Sequence, residues 1–248
     1  MSSPAEGFRL ADWPVAILAG GLATRLGPIA ENIPKALVMV AGRPFLSHQL
    51  GLLRDAGIRK GVLCVGYRGE MIEEEFGDGG SLGMEISYSF DGAELLGTGG
   101  ALKKAVPLLG TKFLVLYGDS YLPIDYAVPA RAFATSGKTG LMTLFRNEDR
   151  WEPSNVWFED GEIRRYDKSN LTPEMKHIDY GLGVLHSDAL LAWPSEKPFD
   201  LADVYQSLIR KRELAGYEVD RRFYEVGSPD GLAELDSMLR SQHQSVTP

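Results

Sequence analysis

The segment Leu18-Ala-Gly-Gly-Leu-Ala-Thr-Arg-Leu26, continuing to Pro34-Lys35-Ala36, holds the residue types that phosphate chemistry requires. Gly20 and Gly21 carry no Cβ, so backbone N–H groups can approach a polyphosphate closely. Arg25 and Lys35 add two cations beside that loop, able to neutralise phosphoryl oxygens through charge-assisted hydrogen bonds. An ordinary tight turn would use the glycines and neither cation.

Two better-known phosphate loops are excluded. A dinucleotide fingerprint opening at Gly20 needs glycine at positions 22 and 25, where Leu22 and Arg25 stand. Ala132-Phe-Ala-Thr-Ser-Gly-Lys-Thr139 loosely fits a P-loop, but there a helical pattern precedes the glycine and a strand pattern follows it, the reverse of what that loop requires. Gly137 reads instead as a helix stop with a solvated lysine after it.

Two further segments carry candidate chemistry. Leu96-Gly-Thr-Gly-Gly-Ala-Leu102 places glycines at a helix start, suited either to close approach of a ligand or simply to helix initiation. Phe113-Leu-Val-Leu-Tyr-Gly-Asp119 is an apolar strand ending in glycine and a carboxylate, at the end of the sheet where open α/β folds bind ligands. Asp119 can equally cap its own loop, so the residues alone leave both roles open.

The glycine loop, the Pro34-Lys35 pair and Val40-Ala-Gly-Arg-Pro-Phe45 together resemble the sugar-1-phosphate nucleotidyltransferase family, from about Val15 to Asp236. That family joins a nucleoside triphosphate to a sugar 1-phosphate and releases pyrophosphate. The resemblance implies that Arg25, Lys35 and Asp119 are catalytic. It places the nucleotide on Leu18, Ala19, Gly20, Gly21, Leu22, Ala23 and Thr24, and on Gly97, Thr98 and Gly99, which would close over base and ribose. It makes Asp119 a Mg²⁺ ligand; such an ion commonly takes one or two carboxylates plus phosphates and water, so a second acid is expected. Phe223-Tyr-Glu-Val-Gly-Ser-Pro229 resembles the family's Asp-x-Gly-x-Pro segment and offers Glu225, whose extra methylene leaves direct and water-mediated contact as alternatives.

On the acceptor side, Tyr166-Asp-Lys168 is similar to the segment whose lysine binds the sugar phosphate. His177-Ile-Asp-Tyr-Gly-Leu182 is similar to the one that grips sugar hydroxyls through Asp179 and Gly181, with Asn155 as a further contact. Asp179 can also support a turn. A sugar 1-phosphate is largely dianionic near pH 7, its second pKa being about 6, so in-line attack on the α-phosphorus needs positioning and charge neutralisation but no general base. The Leu96–Leu102 segment looks most like guanylyltransferases acting on mannose or heptose 1-phosphates, which makes GTP the expected donor; uridylyl and cytidylyl relatives use similar loops. Ala23 and Ala36 depart from the family's usual glycine and second proline without removing a charge. The competing reading is a nucleotide-sensing module on the same fold, which could have lost Arg25, Lys35, Asp119 or Lys168 without penalty.

These residues need a scaffold, and the composition supplies one. The 248 residues are 44% apolar and 24% charged, enough for a sizeable core. The 26 Lys and Arg against 34 Asp and Glu, net −8, argue against nucleic acid or an anionic membrane as partner. The N-terminal stretch has no apolar signal region and no run approaches the ~18 residues of a membrane span, so a cytoplasmic enzyme is expected. Cys64 stands inside the apolar run Gly61–Val65 and reads as a buried structural thiol. The four histidines lack metal-ligand spacing, and no serine occupies a nucleophile elbow.

Short apolar runs alternate with helical spacing: strands at 15–19, 61–65, 84–88, 112–117, 139–145 and 177–185, helices at 44–56, 69–76, 99–106, 126–136, 201–210 and 230–240, and a hairpin at 155–166 turned by Asp160-Gly161. The expected fold is a single α/β domain, a Rossmann-like three-layer α/β/α arrangement with a mixed, mostly parallel sheet, as in nucleotide-diphospho-sugar transferases. The domain is expected over 1–240, with a nucleotide-binding half at about 13–125, a sugar-phosphate-binding half at about 126–240 and a frayed tail at 241–248. A homodimer is compatible with this sequence.

Overall fold

In the computed structural model, which describes residues 8–21, 26–27, 32–195 and 197–244, the first apolar run forms strand β1, Val15–Leu18. Two short paired strands, β2 (Met39–Val40) and β3 (Arg43–Pro44), lead into helix α1 (Phe45–Asp55). Then come β4 (Lys60–Val65), α2 (Gly69–Phe76), β5 (Glu85–Phe90), α3 (Gly97–Leu109) and β6 (Lys112–Tyr117). The second half runs through β7 (Ser120–Tyr121), α4 (Ala127–Ser136), β8 (Gly140–Arg146), the hairpin β9 (Val156–Glu159) and β10 (Glu162–Tyr166), and the long β11 (His177–His186). It closes with α5 (Leu201–Arg210), β12 (Leu214–Val219), β13 (Tyr224–Glu225) and α6 (Pro229–Gln244).

Strands β5, β4, β1 and β6 form a parallel block in that order. Antiparallel β11 pairs with β6 on one edge and β8 on the other, and β12 lies parallel beyond β8, so the sheet is mixed as expected. The β9–β10 hairpin joins β11 through His177 and Val156. At its tip Asp160 and Gly161 both take positive φ, as a two-residue turn of that composition requires.

Alternation within each strand sets the layers. Val15, Ile17, Leu63, Val65, Leu114 and Leu116 face a core completed by Leu46, Leu50 and Leu53 of α1, Ile72 and Phe76 of α2, and Ala130 of α4. Ala16, Leu18, Val62, Cys64, Phe113 and Val115 point the other way, onto Leu102 and Ala105 of α3 and onto α5. In α5 the buried residues Leu201, Val204, Tyr205 and Leu208 make one stripe, and Asp200 with Asp203 closes a capping box at its start. Each fully buried aliphatic side chain in these cores contributes about 1.5–3 kcal/mol. No described helix is long and apolar enough to cross a membrane.

Several local outcomes differ from the sequence reading. Strand β12 was not expected, because Gly216 at its centre weakens the strand signal. The structure shows why glycine stands there: a Cβ would lie 2.6 Å from the Phe158 ring, which the hairpin lays across the strand. Helix α3 begins two residues earlier than expected and continues past Pro107, and α6 runs on through Gln244. Pro44 sits at the cap of α1 rather than in its first turn. Gly137 ends α4 at φ +67° with β8 following, so the Ser136-Gly-Lys-Thr139 stretch is a helix stop and not a phosphate loop.

Candidate functional site

The carboxyl ends of β1, β4 and β6 come together at one point. Ala19 donates its N–H to Cys64 O at 2.8 Å, and Gly118 donates to Leu18 O at 3.2 Å. A Cβ on Gly118 would stand 2.5 Å from Leu18 O and 2.9 Å from Ala19 Cα, so only glycine lets β6 leave the sheet here and turn its next residue, Asp119, into the opening. Gly20 is similarly pressed against Gly66, with a would-be Cβ 3.1 Å from Gly66 N.

The opening is a cavity of about 240 Å³ lined by Leu18, Ala19, Gly20 and Gly21 from the first loop, by Lys35 and Ala36, and by Gly97, Thr98, Tyr117 and Asp119. Lys35 opens a short 3-10 turn after Pro34, and its Nζ meets Asp119 Oδ2 at 3.1 Å. Cys64 also lines this wall, and burial pushes its thiol up to about 12, so at neutral pH it is an apolar surface rather than a nucleophile. Arg25, Leu22, Ala23 and Thr24 lie outside the described residues.

A second cavity, about 360 Å³, shares Tyr117 and Asp119 with the first and is lined by Asn155, Lys168, Asp179, Gly181 and Glu225. The expected acceptor residues and the expected metal ligands therefore converge. Lys168 Nζ lies 5.0 Å from the Tyr117 ring centre and 5.9 Å from that of Tyr166, a cation held over two aromatic faces.

Glu225 reaches this place through pairing that the sequence does not announce. Strand β13 runs antiparallel to β7, setting Glu225 opposite Ser120, and Val226 donates its N–H to Asp119 O at 3.0 Å. The Glu225 carboxylate accepts from Gly227 N–H at 2.9 Å and from Ser228 Oγ at 2.8 Å, and Ser228 in turn accepts from Gly231 at the start of α6. Among the described residues no cluster of three or more His, Cys, Asp and Glu side chains is set to enclose a metal. Asp119 and Glu225 line one cavity, and one or two carboxylates beside substrate phosphates and water is the donor set that Mg²⁺ takes, in contrast to an all-protein cage.

Not every expected residue faces the openings. Gly97 and Thr98 do, but the Gly99 N–H is spent on Phe199 O at 3.0 Å, and a Cβ there would sit 2.4 Å from the Phe199 ring. Thr98 Oγ1 accepts the Leu201 N–H at 2.8 Å, tying the start of α3 to that of α5. Asp179 is committed to its neighbours: Oδ2 accepts from Tyr166 OH at 3.0 Å and Oδ1 from Gly181 N–H at 3.1 Å, while its own N–H is held by Asn155 Oδ1 at 3.0 Å. Gly181, at φ +99°, sits in the register shift of β11 against β8 that this contact braces. Burial raises the Asp179 pKa, and Lys168 is the strongest influence drawing it back down.

Two residues escaped the sequence reading. Gln49 is buried and donates from Nε2 to Tyr117 O at 3.0 Å and Ser120 O at 2.7 Å, pinning the turn that carries Asp119. An amide on the apolar face of α1 was its only signal. Asp91, just beyond β5, lines the first cavity; its Oδ2 accepts the Leu96 N–H at 3.2 Å, and its buried Oδ1 has no hydrogen-bond partner. Burial raises its pKa, opposed by the Leu96 N–H and Lys104.

The model of the nucleotidyl transferase family matches residues 15–158. The chain is 30% identical over 242 residues to a mannose-1-phosphate guanylyltransferase catalytic subunit beta from Drosophila pseudoobscura pseudoobscura, covering 94% of this chain and 64% of that longer protein. It is 31% identical over 215 residues to the D-glycero-alpha-D-manno-heptose 1-phosphate guanylyltransferase of Campylobacter jejuni, covering 86% of this chain and 94% of that one. Among solved structures, HddC from Yersinia pseudotuberculosis complexed with GMP-PN superposes with a TM-score of 0.76 at 23% identity, over 92% of this chain and 99% of that one, a likeness of fold.

Proposed function

The chain belongs to the nucleotidyl transferase family, and on that premise we propose that it joins a nucleoside triphosphate, by preference GTP, to a hexose or heptose 1-phosphate, making a nucleoside-diphosphate sugar and pyrophosphate. The observation that carries this reading is the meeting of two cavities at Asp119, with Lys35 lining the first and Lys168 the second. A donor and an acceptor seated in the two would bring their phosphates together at that junction.

In this reaction an oxygen of the sugar phosphate forms a bond to the α-phosphorus, and the bond from that phosphorus to the bridging oxygen breaks. Pyrophosphate leaves with the electron pair. Lys168 holds the incoming phosphate, and Lys35, with Arg25, offsets charge on the α-phosphoryl group and the leaving pyrophosphate. Asp119 and Glu225 would hold Mg²⁺, which when bound supplies further charge neutralisation on the triphosphate. Asp179 lines the same cavity and attracts Lys168 by charge, while its bonds to Tyr166 and Gly181 hold the carboxylate in place.

GTP is favoured by Asp91. A buried carboxylate oxygen without a partner, lining the donor cavity, calls for a ligand that brings hydrogen-bond donors. Guanine presents two adjacent donors, N1–H and N2–H, whereas uracil presents one ring N–H. Asp91→Asn is therefore expected to lower kcat/KM for GTP at least about tenfold, and that for UTP less, because the charge-assisted acceptor is lost. Competition among the four ribonucleoside triphosphates before and after the substitution measures this. An unchanged GTP preference in the variant would remove Asp91 from base recognition.

A further inference from the structure

The two lysines of the site are held in different ways. Lys35 gives its ammonium to Asp119 at 3.1 Å. Lys168, among the described residues, commits none of its N–H groups to an ion pair or hydrogen bond: its Nζ stands 5.0 Å from the Tyr117 ring centre and 5.9 Å from that of Tyr166, and Asp179 attracts it by charge. We propose that Tyr117 is a positioning residue of the acceptor site, its ring face fixing the Lys168 ammonium beside the junction of the two cavities while leaving all three N–H donors to the acceptor phosphate. This rests on the reading of Lys168 as the group that meets that phosphate.

The physical case rests on what fixes a lysine. Its four-carbon stem is flexible, so an ammonium lining an open cavity needs something to hold it. An ion pair would do so, but the pair must loosen before a phosphate can take the same donors. A π face attracts the cation through its quadrupole and asks for no directed N–H bond. Tyr117 is itself well anchored for this task. It is the last residue of β6, two ahead of Asp119, and lines both cavities. Its carbonyl accepts from Gln49 Nε2 at 3.0 Å, and its ring packs on the β11 irregularity, where a Cβ on Gly181 would stand 3.6 Å from Tyr117 Cδ2. The Tyr117 hydroxyl is buried, and burial holds its pKa well above the ordinary value, so it stays a neutral phenol and the ring carries the contact. Tyr166 has a different share: it is the farther face, its hydroxyl is given to Asp179 at 3.0 Å, and its ring meets Tyr205 edge-on at 6.1 Å. Tyr166 thus steadies the carboxylate, and Tyr117 the cation.

The test is a double-mutant cycle read in the dissociation constant of mannose 1-phosphate, measured by calorimetry with Mg²⁺ and a GTP analogue methylene-bridged between its α and β phosphates. Tyr117→Leu and Tyr117→Met, two apolar replacements without a π face, are each expected to weaken binding about tenfold, the scale of one desolvated cation–π contact, and Tyr117→Phe less than about threefold. In a Lys168→Met background the same leucine and methionine changes should cost less than about twofold, because the ammonium they served is gone. Equal losses in both backgrounds would mean that the ring only packs the cavity wall, and would overturn the proposal. A second readout needs no acceptor. The Lys168 ε-methylene proton signals, assigned by their loss in Lys168→Met, should be shifted upfield by the ring in the wild type and in Tyr117→Phe, and return towards those of free lysine in Tyr117→Leu. Signals unshifted in the wild type would also overturn it. Failure of mannose 1-phosphate and of a heptose 1-phosphate to bind the wild type would strike the acceptor reading of the second cavity instead, and the ring shift would still decide whether Tyr117 seats the lysine.

Discussion

Lys35→Ala is expected to lower kcat by about 10²–10³, the loss seen when one preorganised group that stabilises transition-state charge is removed. In the structure the lysine Nζ is 3.1 Å from Asp119 Oδ2, with only 15% of its side chain exposed, and it lines the first cavity. Its contribution to the fold is small by comparison: a partly exposed ion pair is worth roughly 0.2–1 kcal/mol. The result to look for is a large fall in turnover with a thermal midpoint close to wild type. Lys35→Arg should rescue little, since a planar guanidinium cannot take the place of a compact ammonium in a turn this tight. Near-normal turnover of the purified alanine variant would remove Lys35 from the chemistry.

Asp119→Asn is expected to cost more, about 10³-fold or greater, because one carboxylate serves both cavities. Asparagine keeps the shape and can still accept from Lys35, so the change tests charge rather than packing. If Asp119 holds Mg²⁺, the remaining activity will need far higher Mg²⁺; a metal titration reads this directly. If Lys35 and Asp119, paired at 3.1 Å, act on the same phosphates, the double variant should lose little more than the worse single one. An unchanged Mg²⁺ dependence in Asp119→Asn would refute the metal role.

The sheet was legible because its information is local. Val15–Leu18, Lys60–Val65 and Lys112–Tyr117 are short apolar runs bounded by turn residues, and their alternation alone sorts side chains between the two cores. Gly20, Lys35 and Asp119 were legible for the same reason: each sits at or just beyond the end of such a strand or in the loop that leaves it. What escaped depends on contacts between distant segments. Glu225 was named from its segment's resemblance, but the pairing of β13 with β7 that carries it to the Asp119 cavity was not foreseen, because two residues cannot carry a strand pattern. Asp91 became interesting only once its Oδ1 proved buried without a partner, which no spacing reveals. Gly99 stands in a segment that resembles a binding motif, yet its N–H is taken by Phe199 O; Asp179 lines the second cavity and at the same time accepts from Tyr166 and Gly181, a bracing role that no spacing shows.

The central claim, that two phosphorylated substrates react where the cavities meet, is tested most directly by pyrophosphate release in the presence of Mg²⁺. Each of the four ribonucleoside triphosphates is crossed with hexose and heptose 1-phosphates and with phosphocholine. The expected result is release that requires both partners at once, strongest with GTP and a sugar 1-phosphate. Tight triphosphate binding without release in any combination would contradict it and leave a nucleotide sensor built on the same fold.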